Sequence, residues 1–195
     1  MHAPIIAFES YLDGVGKTTT ARAFARRVDG VMVGDIPVDP AWKKERQRVN
    51  NGDDVEARFD YFLRFNGLYM ALARIVAVDR PAILDSTVYR THASHRVLGS
   101  VAAWSPPNAH LLPDVTIQLE LDEGARRTRI SDRDNGMVYP SHWDETLYDR
   151  ERDLRIIYGQ FRLPRVDADT PPEVIVERSM ALMPDGILEG LGEQV

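Results

Sequence analysis

Asp13-Gly14-Val15-Gly16-Lys17-Thr18-Thr19 lies between two segments of different pattern. Residues 3–8 before it form a short apolar run, which is typical of a strand buried on both faces. After it, apolar residues recur at helical spacing up to residue 28. Glycines let a backbone approach a bound group closely, and a helix N-terminus offers unpaired N–H groups to an anion. This order of strand, glycine loop and helix therefore predicts a phosphate site.

The stretch follows the phosphate-loop pattern G-x-x-x-x-G-K-[ST] except at its first position, where Tyr11 replaces glycine. In such a loop we expect Lys17 to contact the β- and γ-phosphates of ATP and the Thr18 hydroxyl to ligate Mg²⁺. The alternative is a glycine-containing turn with a solvated lysine. The candidate nucleotide-binding residues are Asp13, Gly14, Val15, Gly16, Lys17, Thr18 and Thr19.

Composition limits the partners that the chain can have. Its 195 residues are enough for one domain, and a net charge of −6 argues against binding to a nucleic acid polymer. With no cysteine, thiolate nucleophiles and Cys-ligated metals are excluded. The chain has no segment typical of a signal peptide or of a membrane span, so we expect a cytoplasmic protein without a membrane partner.

Short strands alternate with helices along the chain, which predicts an α/β fold with a parallel sheet covered on both faces. Further strands are expected at residues 30–33, 82–84, 115–121 and 165–167, and a long helix after the caps Asp53 and Asp54. Prolines and Asn-Asn-Gly between residues 37 and 52 predict irregular connections. Helices are expected at residues 123–131 and 143–161, with a lid-like loop between them.

Four segments in order resemble the thymidylate kinases. Ser10–Thr19 resembles that family's E-G-x-D-G-x-G-K-[ST]-T loop, and Leu112–Asp122 its P-D-x-T-x-x-L-x-x-D strand. Arg129–Arg133 is similar to the R-I-x-x-R approach to the lid. Val166–Ala168 with Pro172–Val174 resembles the family's last strand and helix. Their order and spacing make chance agreement improbable.

The resemblance implies a P-loop fold of three αβα layers in one domain, residues 1–195, with a five-stranded parallel sheet in the order 2-3-1-4-5. A small lid would cover approximately residues 129–143. It also implies a homodimer that uses ATP and Mg²⁺ to phosphorylate a small acceptor, a nucleoside monophosphate or a related molecule.

Candidate catalytic residues surround the loop. Asp85 ends an apolar run, which places it at the sheet edge as a candidate Mg²⁺ ligand or a helix cap. Arg129 and Arg133 lie four residues apart and are candidates to neutralise the transferring phosphoryl group. Asp35, after the second strand, is a candidate proton acceptor or a residue that only fixes a turn.

The acceptor side carries weaker signals. By resemblance, Asp13 contacts the acceptor's sugar hydroxyl, and Phe65-Asn66 is similar to the Phe-Gln pair with which deoxynucleoside kinases bind a base. The segment from Asp85 to Tyr89 resembles their E-R-S-V-Y segment. The candidate acceptor-binding residues are Asp13, Arg64, Phe65, Asn66, Tyr89 and Arg90.

Three arginines that thymidylate kinases use to bind a monophosphate are missing or displaced here. Ser86 follows Asp85, Gly34-Asp35-Ile36-Pro37 replaces R-E-P, and Asn66-Gly67 lies near the expected D-R. Serine and glycine supply neither charge nor the fork of a guanidinium, although Arg58, Arg64, Arg90 and Arg96 are near enough in sequence to substitute. Two alternatives stay open: a kinase of nucleosides or other hydroxyl compounds, and a degenerate nucleotide-binding protein suggested by Tyr11.

Overall fold

The computed structural model describes residues 2–134 and 141–187, without the side chains of residues 133 and 134. Its sheet has five parallel strands in the order β2-β3-β1-β4-β5, so the predicted order is confirmed. The strands are β1 (Ile5–Glu9), β2 (Val31–Met32), β3 (Ala82–Leu84), β4 (Val115–Glu120) and β5 (Arg165–Asp167).

Helices cover both faces of this sheet. They are α1 (Lys17–Arg27), α2 (Pro40–Asn51), α3 (Val55–Val76), α4 (Val88–Leu98), α5 (Glu123–Asp134), α6 (His142–Asp149), α7 (Glu151–Gly159) and α8 (Pro172–Met180). Strand β1 contributes to both layers, because Ile6 and Phe8 join the core under α1 and α8 whereas Ile5 and Ala7 join the core under α3. The predicted three-layer α/β architecture is confirmed.

Two local predictions were wrong. Residues 40–51 form helix α2 instead of an irregular connection: Asp39 caps it by accepting from the Ala41 N–H at 2.8 Å, and Pro40 occupies the first turn. Proline has no N–H group, but an N–H in the first turn has no partner within the helix, so Pro40 can start this helix without breaking it. The helix expected over residues 143–161 is divided into α6 and α7 at Arg150.

Because all five strands are parallel, their carboxyl ends meet at one edge of the sheet. The loops that follow β1, β2 and β3 carry the phosphate-loop stretch, Asp35 and Asp85 to that edge. Among the helices of residues 2–134 and 141–187, none has the length and apolar character that crossing a membrane requires.

Candidate functional site

The phosphate loop connects the end of β1 to the first turn of α1. Gly14 and Gly16 have φ angles of 86° and 96°, in the left-handed region that favours glycine. A Cβ atom on Gly14 would lie 2.6 Å from the Ile130 side chain of α5, so this position also lacks room for a side chain. Helix α5 thus packs directly over the loop, and Val15 anchors the loop from beneath in the core.

Lys17 is folded into the loop. Its Nζ donates to Ser10 Oγ at 2.8 Å and to the Leu12 carbonyl at 3.2 Å, and it lies 3.5 Å from the Asp13 carboxylate. Burial and the nearby charge of Arg90 lower the pKa of Lys17, and Asp13 opposes the shift. The ammonium borders a cavity of about 360 Å³, which we call the donor cavity. It is lined by Asp13, Gly14, Gly16, Lys17, Thr18, Thr19, Asp85, Ser86, Arg90 and Arg129.

Thr18 and Asp85 meet across the loop, since Thr18 Oγ1 donates to Asp85 Oδ2 at 2.7 Å. A hydroxyl and a carboxylate are the hard oxygen donors that Mg²⁺ prefers, so the pair fits this ion. The described residues contain no cluster of three or more His, Cys, Asp or Glu that would form a protein-only metal cage. Mg²⁺ commonly takes only one or two protein ligands and completes its shell with water and phosphate.

Asp13 and Arg90 form an ion pair beside this cavity, with 2.8 Å between Oδ1 and Nη1. The Arg90 charge is the main cause that holds the pKa of Asp13 well below its usual range. Both residues also line a second cavity, so the ion pair forms part of the wall between the donor cavity and this second cavity.

That second cavity, which we call the acceptor cavity, measures about 400 Å³. Asp13, Thr18, Asp85, Ser86 and Arg90 line both cavities. The other acceptor-cavity residues are Arg22, Met32, Gly34, Asp35, Arg46, Arg58, Phe62, Phe65, Asn66, Tyr69, Thr91, Ser94, His95, Asp144 and Leu147.

Phe65 and Asn66 both reach the acceptor cavity. Phe65 packs in an aromatic cluster, with its ring centroid 4.7 Å from that of Tyr69 and 5.6 Å from that of Trp42. Asn66 Nδ2 donates to Thr91 Oγ1 at 2.7 Å, and this hydrogen bond fixes the orientation of the Asn66 amide group. Helix α3 therefore places one aromatic and one amide group in the lining of the acceptor cavity.

Arg58 and His95 form a buried pair in the lining of the acceptor cavity, since the two residues are only 5% and 2% exposed. The Arg58 Nη1 lies 2.9 Å from His95 Nε2, and His95 Nδ1 lies 2.7 Å from the Thr91 carbonyl. A carbonyl only accepts, so Nδ1 carries the proton and Nε2 accepts from Arg58. Burial and the Arg58 charge lower the pKa of His95 to about 3, which keeps the ring neutral.

Not every predicted residue is brought to a cavity. Arg64 turns outward to Glu45 and Asp60, at 2.7 and 2.9 Å, and Tyr89 packs against Phe161 with centroids 5.0 Å apart. Neither lines the donor or the acceptor cavity.

Asp35 lines the acceptor cavity but is engaged by Arg22 at 2.6 Å, and those hydrogen bonds lower its pKa. Arg129 lines the donor cavity and donates to the Ala168 carbonyl at 3.1 Å. The side chain of Arg133 and residues 135–140 of the expected lid lie outside the described residues.

Tyr11, the departure from the loop pattern, lines neither cavity. It is 3% exposed, its ring packs against Tyr158, and its hydroxyl accepts from Arg155 at 2.8 Å. Its φ is not positive, so glycine is not required there. Position 11 is therefore filled by a side chain that ties the loop to α7.

Sequence reasoning missed several lining residues, among them Arg46, Phe62, Tyr69, His95 and Asp144. A signal was present in α3, where residues 58, 62, 65, 66 and 69 follow helical spacing on one face. Arg64 is off that face.

No family model and no curated protein matches the sequence. The structure is similar to thymidylate kinase from Candida albicans, with a TM-score of 0.66, 12% identity and coverage of 92% of this chain and 90% of that one.

Two further neighbours belong to other kinase groups. Deoxyadenosine kinase from M. mycoides, solved with bound dCTP, gives a TM-score of 0.56 at 18% identity, covering 90% of this chain and 96% of that one. A gluconokinase from Sinorhizobium meliloti 1021 gives 0.51 at 16% identity, covering 92% and 91%. These likenesses confirm the predicted resemblance at the level of the fold: the chain has the P-loop fold that nucleotide, nucleoside and sugar kinases share.

Proposed function

We propose that this protein is an ATP-dependent kinase that transfers the γ-phosphoryl group to a small acceptor, a nucleoside monophosphate or a related molecule. One observation carries the proposal: the donor and acceptor cavities share a wall formed by Asp13, Thr18, Asp85, Ser86 and Arg90. A nucleotide held at the loop would thus have its terminal phosphate next to a molecule in the acceptor cavity, and such positioning supplies much of the rate of phosphoryl transfer.

In the proposed reaction, an acceptor oxygen attacks the γ-phosphorus while the bond to the β–γ bridging oxygen breaks and ADP leaves. Lys17 and the loop N–H groups hold the phosphates, and Arg129 and Arg133 neutralise the developing charge. Thr18 and Asp85 would hold Mg²⁺, which neutralises phosphate charge when bound. Where the attacking group is a hydroxyl, Asp35 is the proposed acceptor of its proton, and the bond between Asp35 and Arg22 must loosen for that role.

A kinase of nucleosides or other hydroxyl compounds is the second candidate. Ser86 and Gly34 stand at the acceptor cavity in positions where a monophosphate kinase of this resemblance would carry arginines. A degenerate nucleotide-binding protein is disfavoured, because the substituted residue Tyr11 lies outside the donor cavity. By resemblance we further propose a cytoplasmic homodimer formed through the helices that follow β2 and β3.

ADP release tests the proposal, measured with ATP, Mg²⁺ and separate nucleosides, nucleoside monophosphates and non-nucleoside alcohols. We expect acceptor-dependent turnover that falls by about 10²- to 10³-fold in Lys17→Ala, since a donor to the transition-state phosphate is lost. Lys44→Ala, an exposed lysine on α2, is the matched control and should retain activity. Equal ADP release from both variants would refute the proposed role of the loop, and turnover with nucleosides alone would favour the second candidate.

A further inference from the structure

Charged side chains of both signs line the acceptor cavity, but only some of them form ion pairs with each other. Four arginines line it, Arg22, Arg46, Arg58 and Arg90, together with four aspartates, Asp13, Asp35, Asp85 and Asp144. Two of the arginines are matched, since Arg22 pairs with Asp35 at 2.6 Å and Arg90 with Asp13 at 2.8 Å.

Arg58 and Arg46 are not matched in this way. Among the described residues, no carboxylate lies within 4.0 Å of either guanidinium. Both lie over the Phe62 ring, with their Cζ atoms 4.8 and 5.8 Å from its centroid. Within residues 2–134 and 141–187, the hydrogen-bond partners of Arg58 are both neutral: His95 Nε2 at 2.9 Å and Asn50 Oδ1 at 3.3 Å.

A buried cation without a counter-ion is costly in a folded protein, so its presence calls for a compensating charge. Burial lowers the pKa of Arg58 to about 10, which still leaves it charged at neutral pH. Asp144 supplies charge that opposes the shift in the pKa of Arg58, but its carboxylate accepts from Ser141 Oγ at 2.5 Å at the start of α6. One carboxylate bound elsewhere does not neutralise two guanidiniums.

The position of the pair within the site is also informative. Arg58 and Arg46 line the acceptor cavity but not the donor cavity, whereas Thr18 and Asp85 line both. A group bound by Arg58 is therefore separate from the group that faces the loop.

We propose, on the basis of the proposed kinase function, that the acceptor carries a carboxylate or phosphate that Arg58 binds with support from Arg46, while a different group of the same molecule receives the phosphoryl. His95 acts as a positioning residue, because its neutral Nε2 fixes one arm of the guanidinium without cancelling its charge. A guanidinium held in this way binds a planar or tetrahedral oxyanion through its remaining N–H donors.

Binding of inorganic phosphate and of acetate tests the anion site directly. The donor cavity is first saturated with Mg²⁺ and a non-hydrolysable ATP analogue, so that the loop cannot take the probe, and calorimetry then follows each anion. We expect binding that weakens by at least about tenfold in Arg58→Gln and in Arg46→Gln, since a charge-assisted hydrogen bond is lost. The phosphate and acetate arms distinguish the two anion classes.

Arg74→Gln is the matched control, because Arg74 lies on the same helix and outside both cavities. Arg46 is exposed, so its variant keeps the test valid even where Arg58→Gln does not fold. Failure of either anion to bind at millimolar concentration, or equal affinity in wild type and both cavity variants, would overturn the anion site.

An acceptor pair that differs by one anionic group, gluconate with glucose, extends the test to turnover. We expect the charged member of the pair to be used at least about tenfold better, with Arg58→Gln raising its KM more than it lowers kcat. Arg58→Lys should restore part of the loss. Equal turnover of the charged and the neutral acceptor, unchanged in Arg58→Gln, would refute the inference but not the proposed kinase function. Failure of the ATP analogue to bind would refute the proposed kinase function itself.

Discussion

The donor and acceptor cavities share a wall, yet their cations are held in opposite ways. At the loop, Lys17 is enclosed by oxygen atoms of Ser10, Leu12 and Asp13, all from the same short stretch of chain. In the acceptor cavity, Arg58 is held by a neutral histidine, and no described carboxylate pairs with it. The donor side is thus organised by the chain itself, whereas we infer that the acceptor side is completed by its ligand.

The largest effect should come from breaking the frame that supports the loop. Arg126 of α5 is fully buried and pairs with Glu151 of α7 at 2.6 Å. We expect Glu151→Ala to lower the free energy of unfolding by about 3–5 kcal/mol, because it leaves a buried guanidinium without a counter-ion. Urea unfolding at neutral pH measures this loss.

An exposed ion pair provides the control for this prediction. Glu177 lies 3.4 Å from Arg27, with both side chains more than half exposed. Glu177→Ala should cost at most about 1 kcal/mol. If both variants lost equal stability, burial would not be the cause, and the loop's frame would be no stronger than a surface contact.

The next effect concerns the shared wall. Asp85→Asn keeps the hydrogen bond with Thr18 possible but removes the negative charge that attracts a divalent cation. We expect the Mg²⁺ concentration for half-maximal ADP release to rise by about 10- to 100-fold. Asp79 is exposed and precedes β3, whereas Asp85 follows it, so Asp79→Asn should leave the Mg²⁺ dependence unchanged. An unchanged curve in Asp85→Asn would remove Asp85 from the metal site.

Acid should lower the free energy of unfolding through the buried His95 of the acceptor cavity. Burial lowers the pKa of His95 to about 3, against an ordinary value near 6.5, and lowers the pKa of His92 as well. Below pH 6.5 the unfolded chain binds protons that the folded chain does not, so the free energy of unfolding falls as pH falls. For His95 the slope approaches about 1.4 kcal/mol per pH unit, and His92 contributes in the same direction. Urea unfolding between pH 7 and pH 5 should show a shallower slope in His95→Gln than in wild type. An identical slope would mean that the pKa of His95 is the same in the folded and unfolded states, and would contradict the neutral ring inferred for the folded protein.

These two sides also differ in how far the sequence could predict them. The loop is contiguous, so seven neighbouring residues between a strand and a helix predicted both its position and the sheet edge that carries it. The acceptor cavity gathers side chains from separate elements, and Arg58 meets His95 across 37 positions of sequence. The local sequence pattern does not encode a contact between residues so far apart in the chain.

Arg64 and Arg58 illustrate the same limit within one helix. They lie six residues apart on α3, and only the one that shares a face with Phe62 and Phe65 reaches the cavity. The sequence indicates which residues of α3 share a face. It does not indicate which face is turned inward, because that depends on the packing of aromatic residues of α2 against those of α3.

The smallest effect tests whether the departure at position 11 matters to the donor side. Tyr11→Phe keeps the ring against Tyr158 but deletes the hydroxyl that accepts from Arg155 at 2.8 Å. Arg155 is more than half exposed and also lies 3.6 Å from Glu151, so water and this carboxylate can replace the lost partner. We therefore expect a loss of about 0.5–1.5 kcal/mol in the free energy of unfolding, with ATP affinity within about threefold of wild type. A large loss of ATP affinity with unchanged stability would instead show that the hydroxyl shapes the loop, and that the donor side depends on α7 as the acceptor side depends on its ligand.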